Sequence, residues 1–235
     1  MIGSAAWCCS SSLPPRRRLC FWRRRRRMLR CRGCSTRPPR PTGRSPSSSS
    51  ATGAAVVGQK LDIDFVISTG DNIYDDGIAN TSDPLFKESF SNIYTANSLQ
   101  KPWYLVLGNH DYTGNALAQL DPAIRKVDSR YTAIAKSFIV NSGIADFFLV
   151  DTTPFIVHYW NNTKFDWRGV APRDTYIANL LKDLKCALTA SKAPWKIVVG
   201  HHPISSACGH GNNTELEELL LPVLRVYICM LFDLT

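Results

Sequence analysis

Phe65-Val66-Ile67-Ser68-Thr69-Gly70-Asp71-Asn72-Ile73-Tyr74-Asp75-Asp76-Gly77 decides how this chain is read. Phe65 to Ser68 has the length and β-favouring composition of a buried strand, and Gly70 breaks it. Asp71 and Tyr74 stand just past its end. In open α/β sheets, ligands bind outside the carboxyl ends of strands, so these side chains are placed for chemistry. The same grammar returns twice. Trp103 to Leu107 runs into Gly108-Asn109-His110-Asp111, and Trp195 to Val199 runs into Gly200-His201-His202-Pro203. Each time a strand meets a glycine and then oxygen or nitrogen donors.

Taken singly, an Asp after a Gly is ordinary turn chemistry. Taken together, Asp, Tyr, Asn and His form the mixed donor set that a hard or borderline metal pair accepts. Gly70-Asp71-Asn72-Ile73-Tyr74, Gly108-Asn109-His110-Asp111 and Val198-Val199-Gly200-His201 resemble three of the five metal-site motifs of the metallophosphoesterases. The tyrosine three residues after the aspartate makes the resemblance specific to the small, single-domain purple acid phosphatases of plants and mammals. It extends from Val56 to Arg225 and includes Asp151-Thr152-Thr153-Pro154-Phe155 and the stretch from Trp195 to Pro203.

The resemblance implies an α/β fold with two mixed β-sheets packed face to face and flanked by helices. It implies an acid phosphatase that hydrolyses phosphomonoesters at a binuclear metal centre, Fe(III) plus a divalent Zn, Mn or Fe. Asp71 would bridge the two ions, Tyr74 would bind the ferric ion, and Asn109 and His201 would bind the divalent one. His110 and His210 would lie beside the substrate, with His210 favoured to protonate the leaving alkoxide. Asp75, Asp76 and Asp111 read as turn carboxylates that orient ligands. His158 and His202 are assigned no role. A secreted or vacuolar location is implied as well.

The family pattern has seven ligands on five motifs, and four of those ligands are found here. The first motif, Gly-Asp-x-Gly, and the last, Gly-His-x-His, are not present between Met1 and Thr235. The chain therefore reads as a phosphatase middle with an altered start and stop, incomplete at both ends. Sheet edges left unpaired there would be a liability. Two functions follow from this pattern. One is the phosphatase; the other is a catalytically inactive, truncated relative that acts through interactions or does not fold stably.

Charge divides the chain sharply. The formal net charge is +9, yet 13 arginines fall between Arg16 and Arg44, and no acidic residue precedes Asp62. The other 15 basic and 19 acidic residues leave the remainder mildly acidic. Residues 1–55, rich in Arg, Ser and Pro, read as a disordered leader, and residues 56–235 as the phosphoesterase domain. The leader has no apolar run long enough for a secretory signal. It fits a solvated tail, a transit peptide or a basic nucleic-acid tether. With only Trp7, Phe21 and Trp22 to stack on bases, it gives single-strand binding little support. No stretch reaches the roughly 20 apolar residues of a membrane span.

Cys31-Arg32-Gly33-Cys34 is a lone pair without a partner at zinc-finger spacing. Cys186, Cys208 and Cys229 read as buried free thiols. Sequons begin at Asn80, Asn161 and Asn212, which fits a glycoprotein if the chain enters the secretory route.

The pattern predicts a helix over Pro84 to Tyr94, strands near Lys136 to Val140 and Phe147 to Val150, and a surface excursion between Gly114 and Phe138. Asp174 is expected to cap a helix running to Ala190, with Ile177, Leu180, Leu181, Leu184 and Leu188 on one face. Thr214 and Glu217 form an expected capping box, and Val226 to Met230 an expected strand.

Overall fold

The computed structural model describes residues 19–21, 48–206, 211–227 and 230–232. Strand β1 (Leu19–Phe21) and helix α1 (Ser48–Leu61) precede β2 (Phe65–Ser68). Helix α2 (Pro84–Phe86) continues as a π-helical turn, Lys87–Ser91, before β3 (Trp103–Leu105). Three short helices follow: α3 (Asn109–Thr113), α4 (Ala116–Leu120) and α5 (Pro122–Val127). Then come β4 (Tyr131–Thr132), β5 (Phe138–Asn141) and β6 (Ala145–Leu149). The long helix α6 (Arg173–Ala190) leads to β7 (Trp195–Val199). A π-helical turn, Leu216–Leu220, opens α7 (Leu221–Tyr227), and β8 (Met230–Phe232) closes the order.

The strands form two four-stranded sheets, β1-β2-β3-β4 and β5-β6-β7-β8. Every pairing in the first is parallel, so it is not mixed as expected. In the second, β5 runs antiparallel to β6 while β6, β7 and β8 are parallel. Alternation along the strands sorts side chains into three layers of core. Phe65, Ile67, Tyr104 and Val106 of the first sheet meet Phe138, Phe147, Leu149, Ile197 and Val199 of the second. Phe65 and Phe147 interlock edge to face, with centroids 5.8 Å apart. The opposite face of the first sheet (Val66, Trp103, Leu105) packs on Ala51 and Ala54 of α1 and on Phe86 and Phe90. The outer face of the second (Phe148, Val198) packs on Ile177, Leu180, Leu184 and Leu188 of α6. Helix, sheet, sheet and helix are thus stacked, which is the α/β arrangement expected.

Local chemistry explains how short helices start, both in the expected helix after Asp83 and in the stretch that the sequence pattern left as an excursion. Asp83 accepts a hydrogen bond from the Leu85 N–H at 3.0 Å, with Pro84 in the first helical position. The pair recurs where Asp121 accepts from the Ala123 N–H at 2.7 Å ahead of Pro122. Both use the proline's fixed φ and missing N–H where a helix can start without loss.

Several expectations are corrected. Two stretches within residues 1–55 are described as ordered: Leu19–Phe21 pairs with Phe65–Ile67, and the alanine-rich α1 begins at Ser48 and buries Ala51 and Ala54. A composition boundary does not register a helix that straddles it. The β2 and β7 edges, expected to lie open, are covered by β1 and β8. Pro172, not Asp174, stands at the N-terminal boundary of α6, and Asp174 pairs with Arg173 in the first turn. The capping box does not form; Glu217 instead accepts from the Ser205 hydroxyl. Val226 and Tyr227 continue α7 rather than starting a strand. Cys186 is exposed, off the apolar stripe of α6, while Cys208 and Cys229 lie outside the described residues.

Because Phe147 is fully buried between the sheets, Phe147→Ala should destabilise the fold by about 3–5 kcal/mol. Urea unfolding measures this, and a loss below about 1 kcal/mol would show that the two sheets do not depend on that contact.

Candidate metal centre

Four parallel strand ends converge. β2 delivers Gly70 and Asp71, β3 delivers Gly108 and Asn109, β6 delivers Asp151 and Thr152, and β7 delivers Gly200 and His201. Two glycines allow the approach. Gly70 has φ +99°, and a Cβ there would stand 2.6 Å from His201 Nδ1. A Cβ on Gly108 would stand 2.3 Å from Asp71 Oδ1. Asp71 itself adopts φ +51°, a left-handed conformation that Asp tolerates better than most residues. The backbone thus turns sharply enough to face the Asp71 carboxylate toward the β3 and β7 ends.

There the donors meet. His201 Nε2 lies 3.1 Å from Asn109 Oδ1 and 3.4 Å from Asp71 Oδ1. His201 Nδ1 lies 2.8 Å from the Thr69 carbonyl, which can only accept, so Nδ1 carries the hydrogen. In the neutral ring, Nε2 is then a lone pair facing two oxygen acceptors. Three acceptors converging with no hydrogen among them fit a cation, and a ring nitrogen anchored to a main-chain carbonyl is the usual way to orient a metal-binding imidazole. On the other side, the Tyr74 hydroxyl donates to Asp71 Oδ2 at 2.7 Å. The two carboxylate oxygens of Asp71 therefore face different partners. Among the described residues there is no cluster of three or more His, Cys, Asp or Glu side chains suited to a metal; the donor set needs Asn109 and Tyr74 to reach even this size.

A buried carboxylate holds these loops. Asp111 accepts from the main-chain N–H groups of Asn72, Ile73 and Gly108, and from the side-chain amides of Asn72 and Gln119. Burial, together with the charge of Asp71, pushes its pKa up to about 6. Across the sheets, Tyr112 donates a very short hydrogen bond to Asp151 Oδ2. Tyr176 donates to the same oxygen, and Lys136 Nζ donates to the Tyr112 oxygen at 2.9 Å. Burial pushes the Asp151 carboxyl up, against the pull of Lys136, and pushes the Tyr112 phenol well above its usual range.

Asp71, Tyr74, Asn109 and His201 are thus brought together. The His110 main-chain N–H donates to Asp71 Oδ1 at 3.0 Å, its ring packs on Tyr74 with centroids 4.6 Å apart, and its Nδ1 meets the Asp75 carbonyl. Asp75 therefore acts through its main chain, and the side chains of Asp75 and Asp76 are exposed; of the three expected orienting carboxylates, Asp111 takes that part. His210 lies outside the described residues. Sequence reading did not single out Asn72, Tyr112 or Thr152. Thr152 follows a buried strand just as Asp71 and His201 do, so the same grammar could have found it. Asn72 stands beside Asp71 past the same strand end, but Tyr112 carries no such signal, because its partner Asp151 is 39 residues away.

A sequence model of the calcineurin-like phosphoesterase family matches residues 51–230, so the chain belongs to that family. Among curated proteins, it is similar to purple acid phosphatases. It is 60% identical over 172 residues to purple acid phosphatase 3 of Arabidopsis thaliana, covering 72% of this chain and 47% of that protein. It is 33% identical over 178 residues to human tartrate-resistant acid phosphatase type 5, covering 72% of this chain and 53% of that one. The chain spans about half the length of the curated relatives it matches. A solved structure of GAP50, the anchor in the inner membrane complex of Plasmodium, superposes with a TM-score of 0.62 at 23% identity, over 78% of this chain and 59% of that one. That likeness shows a shared fold. The purple acid phosphatase family implies a binuclear metal centre, and no helix among the described residues is long and apolar enough to cross a membrane.

Asp111→Ala strands five buried or half-buried N–H donors and should cost about 2–4 kcal/mol in urea unfolding. An effect within experimental error would show that the loops hold without it. Gly108→Ala should weaken Zn²⁺ or Mn²⁺ binding in a calorimetric titration, since its methyl collides with the Asp71 carboxylate; undiminished affinity would contradict the cradle geometry.

Proposed function

We propose that this chain carries the domain of an acid phosphatase that hydrolyses phosphomonoesters, with Fe(III) and a divalent ion as its metal pair. The observation that carries the reading is the convergence of His201 Nε2, Asn109 Oδ1 and Asp71 Oδ1 with His201 Nδ1 tied to Thr69. Asp71 Oδ1 and Oδ2, facing His201 and Tyr74 respectively, are arranged for a carboxylate shared by two ions. Asn109 and His201 would hold the divalent ion, and Tyr74 the ferric one. Such a pair, when bound, polarises the phosphoryl oxygens and lowers the pKa of water.

The protein's own part is to position and to transfer protons. Water attacks phosphorus in line as the ester P–O bond breaks, and the departing alkoxide needs a proton. His210, nine residues beyond His201, is assigned that donation, and His110, seated against Tyr74, lies beside the substrate. The Asp71 carboxylate is steadied by the His110 N–H. The exposed sequon asparagines Asn80, Asn161 and Asn212 fit a glycoprotein that follows the secretory route to an extracellular or vacuolar site.

Purified chain supplied with iron and zinc should release phosphate from phenyl phosphate at acid pH, and chelation should abolish this. His201→Ala and Asn109→Ala should each lower kcat/KM by at least about 100-fold, beyond what loss of an outer partner of a metal ligand causes. Tyr74→Phe should remove a visible tyrosinate-to-iron absorption band. Metal-independent turnover, or none with metal supplied, would overturn the reading.

A further inference from the structure

Next to the metal cradle lies a polar relay for which the site described so far has no use. The Thr152 hydroxyl oxygen accepts the main-chain N–H of His201 at 3.2 Å and of His202 at 3.1 Å. Both of its lone pairs are then engaged. Its hydrogen goes to His202 Nδ1, 2.9 Å away, which makes that nitrogen the acceptor. With a neutral ring, the His202 hydrogen is then on Nε2, 3.2 Å from the Tyr159 hydroxyl oxygen. Tyr159 accepts it, so its own O–H is left to donate elsewhere. For that tautomer, hydrogen-bond direction along the relay follows from the two main-chain N–H groups at its root.

The relay ends beside the metal-binding donors. The His202 ring stands edge-on to His201, with centroids 4.7 Å apart, and His201 is the residue that meets Asp71 and Asn109. The Tyr159 ring is clamped by Phe165, stacked at 4.8 Å, and by His158 at 4.3 Å, so its hydroxyl has little freedom to wander. Burial and the negative charge of Asp71 push the Tyr159 pKa up to about 12, which keeps the phenol protonated as a donor.

We propose that the Tyr159 hydroxyl, aimed by Thr152 and His202, is a further substrate-binding group that donates a hydrogen bond to a phosphoryl oxygen of the bound phosphomonoester. A neutral donor suits this place. It adds a hydrogen bond to an anionic oxygen without adding charge to the cation site. His202 is a positioning residue: it fixes which way the phenol hydrogen points. The proposal rests on the phosphomonoester reading above.

The test uses the full chain supplied with iron and zinc. Tyr159→Phe keeps the ring and its stacking while removing only the hydroxyl. It should raise the inhibition constant of inorganic phosphate about 10-fold, and KM for phenyl phosphate and for glycerol phosphate alike, with KM rising more than kcat falls. His202→Ala should move the same constants in the same direction. Melting temperature and bound metal in Tyr159→Phe should match the parent. Unchanged phosphate inhibition and KM in Tyr159→Phe would overturn the proposal and leave the phosphatase reading standing. A rise confined to the phenyl ester would also overturn it, because the hydroxyl would then be touching the leaving group. Parent protein that neither turns over substrate nor binds phosphate would overturn both readings.

Discussion

Asp111 accepts hydrogen bonds from both sides of the cleft between β2 and β3, and the geometry of the cradle depends on it. Its carboxylate takes the Asn72 and Ile73 N–H groups from one loop and the Gly108 N–H from the other. Those loops carry Asp71, Tyr74 and Asn109. Parallel pairing sets the strands side by side, but pairing stops at Ser68 and Leu105, before the donors begin. Beyond that point the carboxylate replaces the ladder. Burying such a group is costly, as the upward push on its pKa shows, and charged hydrogen bonds offset the cost only because five donors surround it.

A second clasp joins the sheets where Tyr112, one residue after Asp111, reaches Asp151 at the end of β6. Within the second sheet, Thr152 takes the main-chain N–H groups of His201 and His202 beyond β7. The apolar layer brings the sheets into contact, and the Tyr112–Asp151 bond ties them at the strand ends. Burial pushes the Asp151 carboxyl up, and Lys136, Tyr112 and Tyr176 gather around it in compensation.

Much of this was legible in the sequence because period and punctuation are local signals. Phe65 to Ser68, Trp195 to Val199 and the stripe along α6 announce themselves by apolar runs or by spacing, and the glycines locate the turns that follow. The four residues of the cradle were readable for the same reason: each stands within a few residues of a strand end. What the sequence hid is non-local. Nothing near Asp111 tells that its five donors come from three separate segments, and nothing near Tyr159 tells that His202 sits against its hydroxyl. The missed helix α1 has a different cause, since the low complexity of its first residues masks alanines that bury themselves only because a sheet is there to receive them. The absent capping box failed because Glu217 found a tertiary partner in Ser205.

The cradle draws its donors from two sheets: Asp71, Tyr74 and Asn109 from the first, His201 from the second. An ion held across them is therefore a fastener as well as a reagent. By mass action, whatever binds the assembled donors and not the open chain adds RT ln(1 + [L]/Kd) to the stability of the docked sheets. Sliding one sheet past the other would separate Asn109 from His201, so docking and occupancy are thermodynamically one equilibrium. On the proposed reading, the rigidity of this domain would be, to that extent, a quantity set by the metal supply of its surroundings.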